Sequence, residues 1–128
     1  MAKLPEKAME LFNDVQAMKI IATVDATGRP HLTPKGTLMA IDDETIAYSE
    51  MAGGKTKANL EATKQAAVLA CKELKAWKLR GVLQGVHTSG DAFEQFKKTA
   101  KEKFGLDVNN IVLIKIEEVY TSSGKQVA

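Results

Sequence analysis

A short stretch in the middle of the chain combines the residue types that bind phosphate groups. Gly53-Gly54 follows the predicted strand Thr45–Ser49, and Lys55 and Thr56 come next, at the start of a predicted helix. Backbone N–H groups in the first turn of a helix lack intrahelical acceptors, and the helix dipole attracts negative charge there. Lys55 adds a full positive charge and Thr56 a hydroxyl donor. The pattern predicts a site for a phosphorylated ligand.

Two other interpretations of this stretch stay open. Gly54-Lys55-Thr56 matches the end of a P-loop, but Ser49 stands where that motif has its first glycine. The parallel sheet of P-loop proteins is not predicted either. The two glycines could also form an ordinary turn that leaves Lys55 solvated. The residues alone do not decide between a ligand site and a turn.

The segment Pro30–Thr37 is a second candidate for ligand contact. Pro34 lacks a backbone N–H and Gly36 lacks a side chain, so the backbone here is free to face something other than a neighbouring strand. An aromatic ring system could lie on such a segment. The alternative is an ordinary edge strand that proline and lysine protect from further pairing.

Hydrophobic periodicity and turn residues predict the elements that hold these segments. Helices are predicted at about Pro5–Met18, Lys55–Thr63 and Ala92–Phe104. Strands are predicted at Ile20–Asp25, His31–Ile41, Thr45–Ser49, Ala66–Cys71, Trp77–Thr88 and Ile111–Val119. Turns join neighbouring strands, which favours antiparallel pairing, and so many strands in a short chain would leave long edges unless the sheet curls. The prediction is a mainly β fold, an antiparallel six-stranded split β-barrel with flanking helices.

Composition narrows the class of protein. With 128 residues we expect a single domain, residues 1–128, and the net charge of +2 is too small to argue for nucleic-acid binding. Cys71 is the only cysteine, and His31 and His87 have no ligand pattern around them, so no metal site is predicted. No apolar run approaches a membrane span or the core of a signal peptide. We expect a cytoplasmic protein.

Several segments occur in an order and spacing typical of one family. They are Thr23–Asp25, Gly28–His31, Thr33–Gly36, Ile46–Ser49 and Gly54–Leu60. In these segments the chain resembles the FMN-binding split barrels related to pyridoxamine 5′-phosphate oxidase, and small bacterial FMN-binding proteins in particular. The resemblance continues through Leu79–Gly85 and Ile111–Val119. It therefore covers most of the chain.

The resemblance implies which residues hold the cofactor. In this family a lysine and a neighbouring hydroxyl residue at the start of the short helix bind the FMN phosphate, which corresponds to Lys55 and Thr56. The residues that correspond to the strand under the flavin ring are Thr33, Pro34, Lys35, Gly36 and Thr37. Ser49 and Glu50 fall where the ribityl chain or the phosphate is contacted. The resemblance also implies a homodimer with FMN at the interface, to which the partner's strand around Arg80 contributes.

The chain departs from the full oxidase at its C-terminal segment. In the full oxidase an arginine and a histidine of this segment bind the substrate's phosphate, and residues Thr121–Ala128 contain neither. This difference argues against pyridoxamine 5′-phosphate oxidation but not against flavin binding. The resemblance implies an FMN-dependent oxidoreductase or electron-transfer protein whose substrate or redox partner is unknown. No catalytic residue is assigned, and Lys35 is the residue expected to tune the flavin. The alternatives are a split barrel that binds F420 or haem, and a non-catalytic interaction domain.

Overall fold

The computed structural model describes residues 2–51 and 53–128. The helices are α1 (Glu6–Phe12), α2 (Lys55–Thr63) and α3 (Asp91–Phe104). The strands are β1 (Met18–Val24), β2 (Pro30–Pro34), β3 (Met39–Asp42), β4 (Thr45–Tyr48), β5 (Gln65–Lys72), β6 (Lys75–His87) and β7 (Ile111–Thr121). None of the helices within the described residues is long and apolar enough to cross a membrane.

The strands form one antiparallel sheet in the order β2-β1-β5-β6-β7-β4-β3. The predicted mainly β fold with flanking helices is confirmed. The predicted strand His31–Ile41 is interrupted, so that the described residues form seven strands where the sequence predicted six. The last strand in the chain, β7, lies between β6 and β4 and joins the two parts of the sheet.

The interruption spans residues 35–38, directly after the proline that ends β2. The Lys35 N–H still donates to the Lys19 carbonyl at 3.0 Å, and a tight turn then brings the Leu38 N–H to within 3.2 Å of the Lys35 carbonyl. The chain leaves one edge of the sheet here and begins β3 at the other edge. The proline and glycine that the sequence singled out therefore mark the gap between the two sheet edges.

The core fills the inner face of the curved sheet. Burial alternates along β1, with Lys19, Ile21 and Thr23 facing inward, as expected for a strand with one buried face. The fully buried larger side chains of this core include Phe12, Leu38, Ile46, Tyr48, Leu79, Ile114, Ile116 and Val119. A second cluster forms where α3 packs Phe93 and Phe96 against Met39 and Ile111. Because both faces of β4 are covered, all of Ile46–Tyr48 is buried.

Helix α1 is shorter than predicted because side-chain hydrogen bonds fix the chain beyond Phe12. The Asn13 side-chain oxygen accepts from the Ala40 N–H at 3.0 Å, and Asp14 accepts from the Gln16 N–H at 2.8 Å. The buried Lys19 ammonium donates to the Asp14 carbonyl at 2.8 Å. Burial lowers the pKa of Lys19. These bonds redirect the chain into β1.

Candidate functional site

Two chain segments meet where β2 and β4 end, and polar contacts hold them together. The Ser49 N–H donates to the Thr37 hydroxyl at 3.0 Å. The Lys35 ammonium donates to Glu50 Oε2 at 2.8 Å, and the two side chains are only 13% and 9% exposed. The structure thus brings together Lys35, Thr37, Ser49 and Glu50, all of which the sequence placed at one site. We call the ionic contact the Lys35–Glu50 pair.

Three buried polar atoms around this pair have no hydrogen-bond partner among the described residues. They are the hydroxyls of Tyr48 and Ser49 and the second carboxylate oxygen of Glu50, Oε1. A buried polar group without a partner costs about 1–3 kcal/mol, and native proteins contain few of them. Such a cluster in one place is typical of a site where a ligand supplies the missing partners.

The Tyr48 side chain is the largest fully buried group at this site. The Lys35 ammonium lies 5.3 Å from the centroid of its ring, within the range of a cation–π contact. Burial raises the pKa of Tyr48, and the negative charge of Glu50 raises it further. The hydroxyl therefore keeps its proton at neutral pH and can donate a hydrogen bond.

Helix α2 begins a few residues beyond Glu50, without a side-chain cap. Gly54 occupies the N-cap position with a φ of +83°, which glycine adopts more readily than other residues, and no side chain there accepts from the first helical N–H groups. Lys55 and Lys57 are exposed, whereas Thr56 is buried. Among the described residues, the start of α2 thus has a lysine and no side-chain cap.

The environment of Lys55 includes the turn between β1 and β2. Hydrogen bonds from the Thr27 hydroxyl and the Arg29 N–H lower the pKa of the Asp25 carboxyl, and the nearby positive charge of Lys55 lowers it further. Asp25 Oδ1 accepts from the Thr27 hydroxyl at 2.7 Å and from the Arg29 N–H at 3.0 Å. This turn therefore lies close to the start of α2.

The position of α2 is fixed by hydrogen bonds to the inner face of the sheet. The Asn59 side chain donates to the buried Thr23 hydroxyl at 3.1 Å, and the Thr63 hydroxyl donates to the Val24 carbonyl at 3.0 Å. Beyond the helix, the Leu83 N–H donates to the Lys64 carbonyl at 2.7 Å. Helix α2 packs on β1 and β2 as a result.

The ring-binding segment predicted from the resemblance lies at a sheet edge. Strand β2 pairs only with β1 among the described residues, with Thr33 opposite Ile21. Pro34 and Gly36 are exposed and Thr33 is half-buried. This edge is open to a flat ligand.

Arg80 does not join the other predicted residues within the same chain. Strand register places Arg80 in one row with Ala67 and Ala22, on the outer face of the sheet. Helix α2 covers the inner face. Its guanidinium lies 3.5 Å from a Glu118 carboxylate oxygen and 5.6 Å from the centroid of the Tyr120 ring. Within one chain, Arg80 therefore lies on the face opposite α2.

Asn110 is a residue of the site that sequence reasoning missed. It follows Asn109 directly before β7, and its side-chain amide holds both backbone polar groups of Glu50. A pair of asparagines ahead of a strand is common turn chemistry, so nothing in the sequence links it to Glu50. The buried hydroxyl of Tyr48, which has no partner among the described residues, was not predicted either.

Comparison with known proteins identifies the family. No curated protein matches the sequence. The fold is similar to that of HupZ from Group A Streptococcus (TM-score 0.82, 26% identity, covering 98% of this chain and 99% of that one). It is also similar to that of an FMN-binding protein from Syntrophomonas wolfei (TM-score 0.81, 22% identity, covering 91% of this chain and 84% of that one). A third similar structure is that of HutZ, named as the haem storage protein of Vibrio cholerae (TM-score 0.68, 18% identity, covering 94% of this chain and 95% of that one). Residues 4–123 match the pyridoxamine 5′-phosphate oxidase family, and the chain therefore belongs to that family.

Proposed function

We propose that this protein is an FMN-binding flavoprotein that works as an oxidoreductase or an electron carrier. The observation that carries the proposal is that buried polar atoms of Ser49 and Glu50 have no hydrogen-bond partner among the described residues, a few positions before the uncapped start of α2. FMN has a phosphate for the helix N-terminus and hydroxyl, amide and ring-nitrogen groups for the unpartnered atoms. The name of the Syntrophomonas wolfei protein supports this choice among phosphorylated ligands.

The phosphate would be held at the first turn of α2. The N–H groups of this turn and the positive end of the helix dipole favour a dianion, and Lys55 adds a mobile charge. Because the Lys55 side chain is exposed, solvent screens its contribution, which we expect to be about 1 kcal/mol. Most of the phosphate affinity would therefore come from the backbone amides.

The flavin ring would lie on the segment from Thr33 to Thr37, at the open edge of β2. FMN, when bound, supplies the hydride or electron chemistry, and the protein orients the ring and sets the charge around it. Lys35 supplies a cation to this segment, but its ion pair with Glu50 partly neutralises that cation. We expect Lys35→Ala to lower the reduction potential of bound FMN and Glu50→Gln to raise it. A potential that neither substitution changes would refute this role of the pair.

We further propose that two copies of the chain pair through the outer face of the sheet. Strand register places Leu32, Ala22 and Ala67 in one row and Ile20 and Leu69 in the next. Leu32 is 65% exposed. These residues and Arg80 are among those that line a groove of ≈ 390 Å³. A contiguous exposed apolar surface of this kind marks an interaction site, and a second copy seated there would carry its Arg80 toward the cofactor of the first.

The dimer proposal is tested by sedimentation equilibrium. We expect Leu69→Lys, in the centre of the outer face, to give monomers and to weaken FMN binding. Leu74→Lys is the matched control, since Leu74 is 99% exposed at the turn between β5 and β6. If the Leu69→Lys protein remains a dimer that binds FMN normally, the outer face is not the interface.

The absorption spectrum of the protein as isolated tests the choice of cofactor. Bound FMN gives two separate bands in the near-ultraviolet and blue, F420 gives a single band at shorter wavelength, and haem gives an intense Soret band. A Soret band or a single deazaflavin band would replace FMN by the corresponding cofactor. A colourless protein that fails to bind added FMN would favour the interaction domain.

A titration of the apoprotein with FMN and riboflavin tests the phosphate site. Charge-assisted hydrogen bonds contribute about 1.5–3 kcal/mol each, so removal of the phosphate should weaken binding at least tenfold. Lys55→Ala should reduce FMN affinity severalfold and leave riboflavin affinity unchanged, whereas Lys98→Ala on α3 should change neither. Equal binding of FMN and riboflavin by the unmodified protein would contradict a phosphate site at α2.

We also propose that the protein works in the cytoplasm. The single cysteine favours the cytoplasm, where thiols stay reduced.

A further inference from the structure

The Asn110 side chain forms a clamp on the backbone of Glu50. The Asn110 side-chain oxygen accepts from the Glu50 N–H at 2.9 Å, and the Asn110 amide nitrogen donates to the Glu50 carbonyl at 2.8 Å. The same nitrogen donates to the Asn109 side-chain oxygen at 2.7 Å. All three bonds have the length of good hydrogen bonds. The orientation of this amide is thus fixed, and with it both backbone polar groups of Glu50.

Glu50 needs such an anchor because it lies between β4 and α2, where no ladder hydrogen bonds hold it. Strand β4 ends at Tyr48, and α2 begins at Lys55. The Glu50 side chain nevertheless points one carboxylate oxygen at Lys35 and leaves the other buried without a partner among the described residues. A free loop residue would turn such an oxygen toward water, since burial without a partner is costly.

We propose that Asn110 is a positioning residue, which holds the Glu50 carboxylate against Lys35 and so sets the charge beside the bound flavin ring. The proposal rests on the proposed FMN site, and it adds a residue from the segment before β7 whose side chain bonds to the backbone of Glu50. Asn110 acts on the flavin only through the Lys35–Glu50 pair. When the clamp is lost, Glu50 moves away and the Lys35 charge is less neutralised.

The apoprotein gives a first test that does not depend on FMN. The coupling between Lys35→Met and Glu50→Gln is measured from the unfolding equilibrium constants of the two single variants and the double variant. The same cycle is then repeated with Asn110→Ala. Residues in contact commonly couple by factors of about 2 to 150, and the burial of this pair places its coupling at or above the top of that range. We expect the coupling factor to fall at least about threefold when the clamp is removed, and an unchanged factor would overturn the proposal.

The FMN-bound protein gives the second test, in which the reduction potential of the flavin is the readout. Asn110→Ala should shift the potential upward, in the same direction as Glu50→Gln, and the combination of both should shift it no further than Glu50→Gln alone. Two additive shifts, or no shift with Asn110→Ala, would show that Asn110 does not act through Glu50. If the unmodified protein binds no FMN, the proposed function fails, while the coupling measurement still decides whether Asn110 positions Glu50.

Asn13→Ala is the matched control for loss of stability. The Asn13 side chain also holds a backbone N–H of a distant segment, that of Ala40, at 3.0 Å, and it has no hydrogen bond to the Lys35–Glu50 pair. We expect it to lower the melting temperature without changing the coupling factor or the potential. Should Asn110→Ala fail to fold, Asn110→Ser can keep one of the two bonds to Glu50, and we expect a smaller change in the same direction.

Discussion

The Lys35–Glu50 pair makes a quantitative prediction about the stability of the apoprotein. The ammonium and the carboxylate are 2.8 Å apart and only 13% and 9% exposed. Removal of one partner of a buried pair leaves an uncompensated charge and costs about 3–5 kcal/mol. Because water still reaches a tenth of each side chain, we expect the lower end, about 3 kcal/mol, for Lys35→Met or Glu50→Gln.

The double variant Lys35→Met/Glu50→Gln should lose much less than the sum of the two. Neither charge remains, and replacement of a whole buried pair by uncharged groups is often nearly neutral. We therefore expect the double variant to lie within about 1 kcal/mol of the unmodified protein. Urea unfolding at pH 7 measures all four proteins. With a slope of about 1–3 kcal/mol per molar, the single variants should shift the midpoint by about 1 M or more.

The exposed pair Lys101–Asp107 is the control for this cycle. Its charged atoms are 3.4 Å apart and its side chains are 59% and 83% exposed, so a coupling of no more than about 0.5 kcal/mol is expected. If Lys35 and Glu50 coupled as weakly as this surface pair, burial would not strengthen their interaction. The reasoning that ties the flavin potential to Glu50 would then fail as well.

Three further predictions concern stability. Tyr48→Phe removes a buried hydroxyl that has no partner among the described residues. This substitution should therefore stabilise the apoprotein by about 1 kcal/mol, measured in a thermal melt. A loss of stability would mean that the hydroxyl is hydrogen-bonded. Gly81→Ala should destabilise the protein by about 2–3 kcal/mol, because the added Cβ would collide with the backbone oxygen of Lys115. An unchanged free energy of unfolding in urea would show that β6 can shift. A hydrogen bond from Lys72 lowers the pKa of the Asp14 carboxyl below its ordinary value of 3.8. The carboxylate therefore stabilises the protein above that pH, and its contribution is lost as the pH falls through the lowered pKa. Asp14→Asn should accordingly be less stable at pH 7, and this difference should shrink as the pH falls through the lowered pKa. A difference that does not change with pH would refute this assignment.

Local chemistry was sufficient to predict the elements that carry the proposed site. Helix α2 has the predicted bounds, Lys55–Thr63, because two glycines before a lysine and a threonine mark a helix start plainly. The proline and glycine at positions 34 and 36 were recognised as an irregularity. Their full effect was not predicted, since a break that sends the chain from one sheet edge to the other depends on where β3 finds its partner.

Contacts between distant parts of the chain could not be predicted from one sequence. The Lys35–Glu50 pair joins residues whose separate roles were expected, but their contact depends on how β2 and β4 end in space. The bonds between Asn110 and Glu50 connect positions 60 residues apart. No periodicity or motif encodes such a pairing, and it becomes visible only when the sheet order is known.

The central place of β7 has a consequence for how the protein folds. Strands β1, β2, β5 and β6 can pair among themselves, and β3 can pair with β4. Within residues 2–51 and 53–128, only β7 pairs with a strand of each group. The pairing of β4 with a strand more than 60 residues later is a contact of high sequence separation, which slows folding. The refolding protein should therefore bind its ligand only after β7 has docked, which is a slow step. This holds even if the hairpins form earlier.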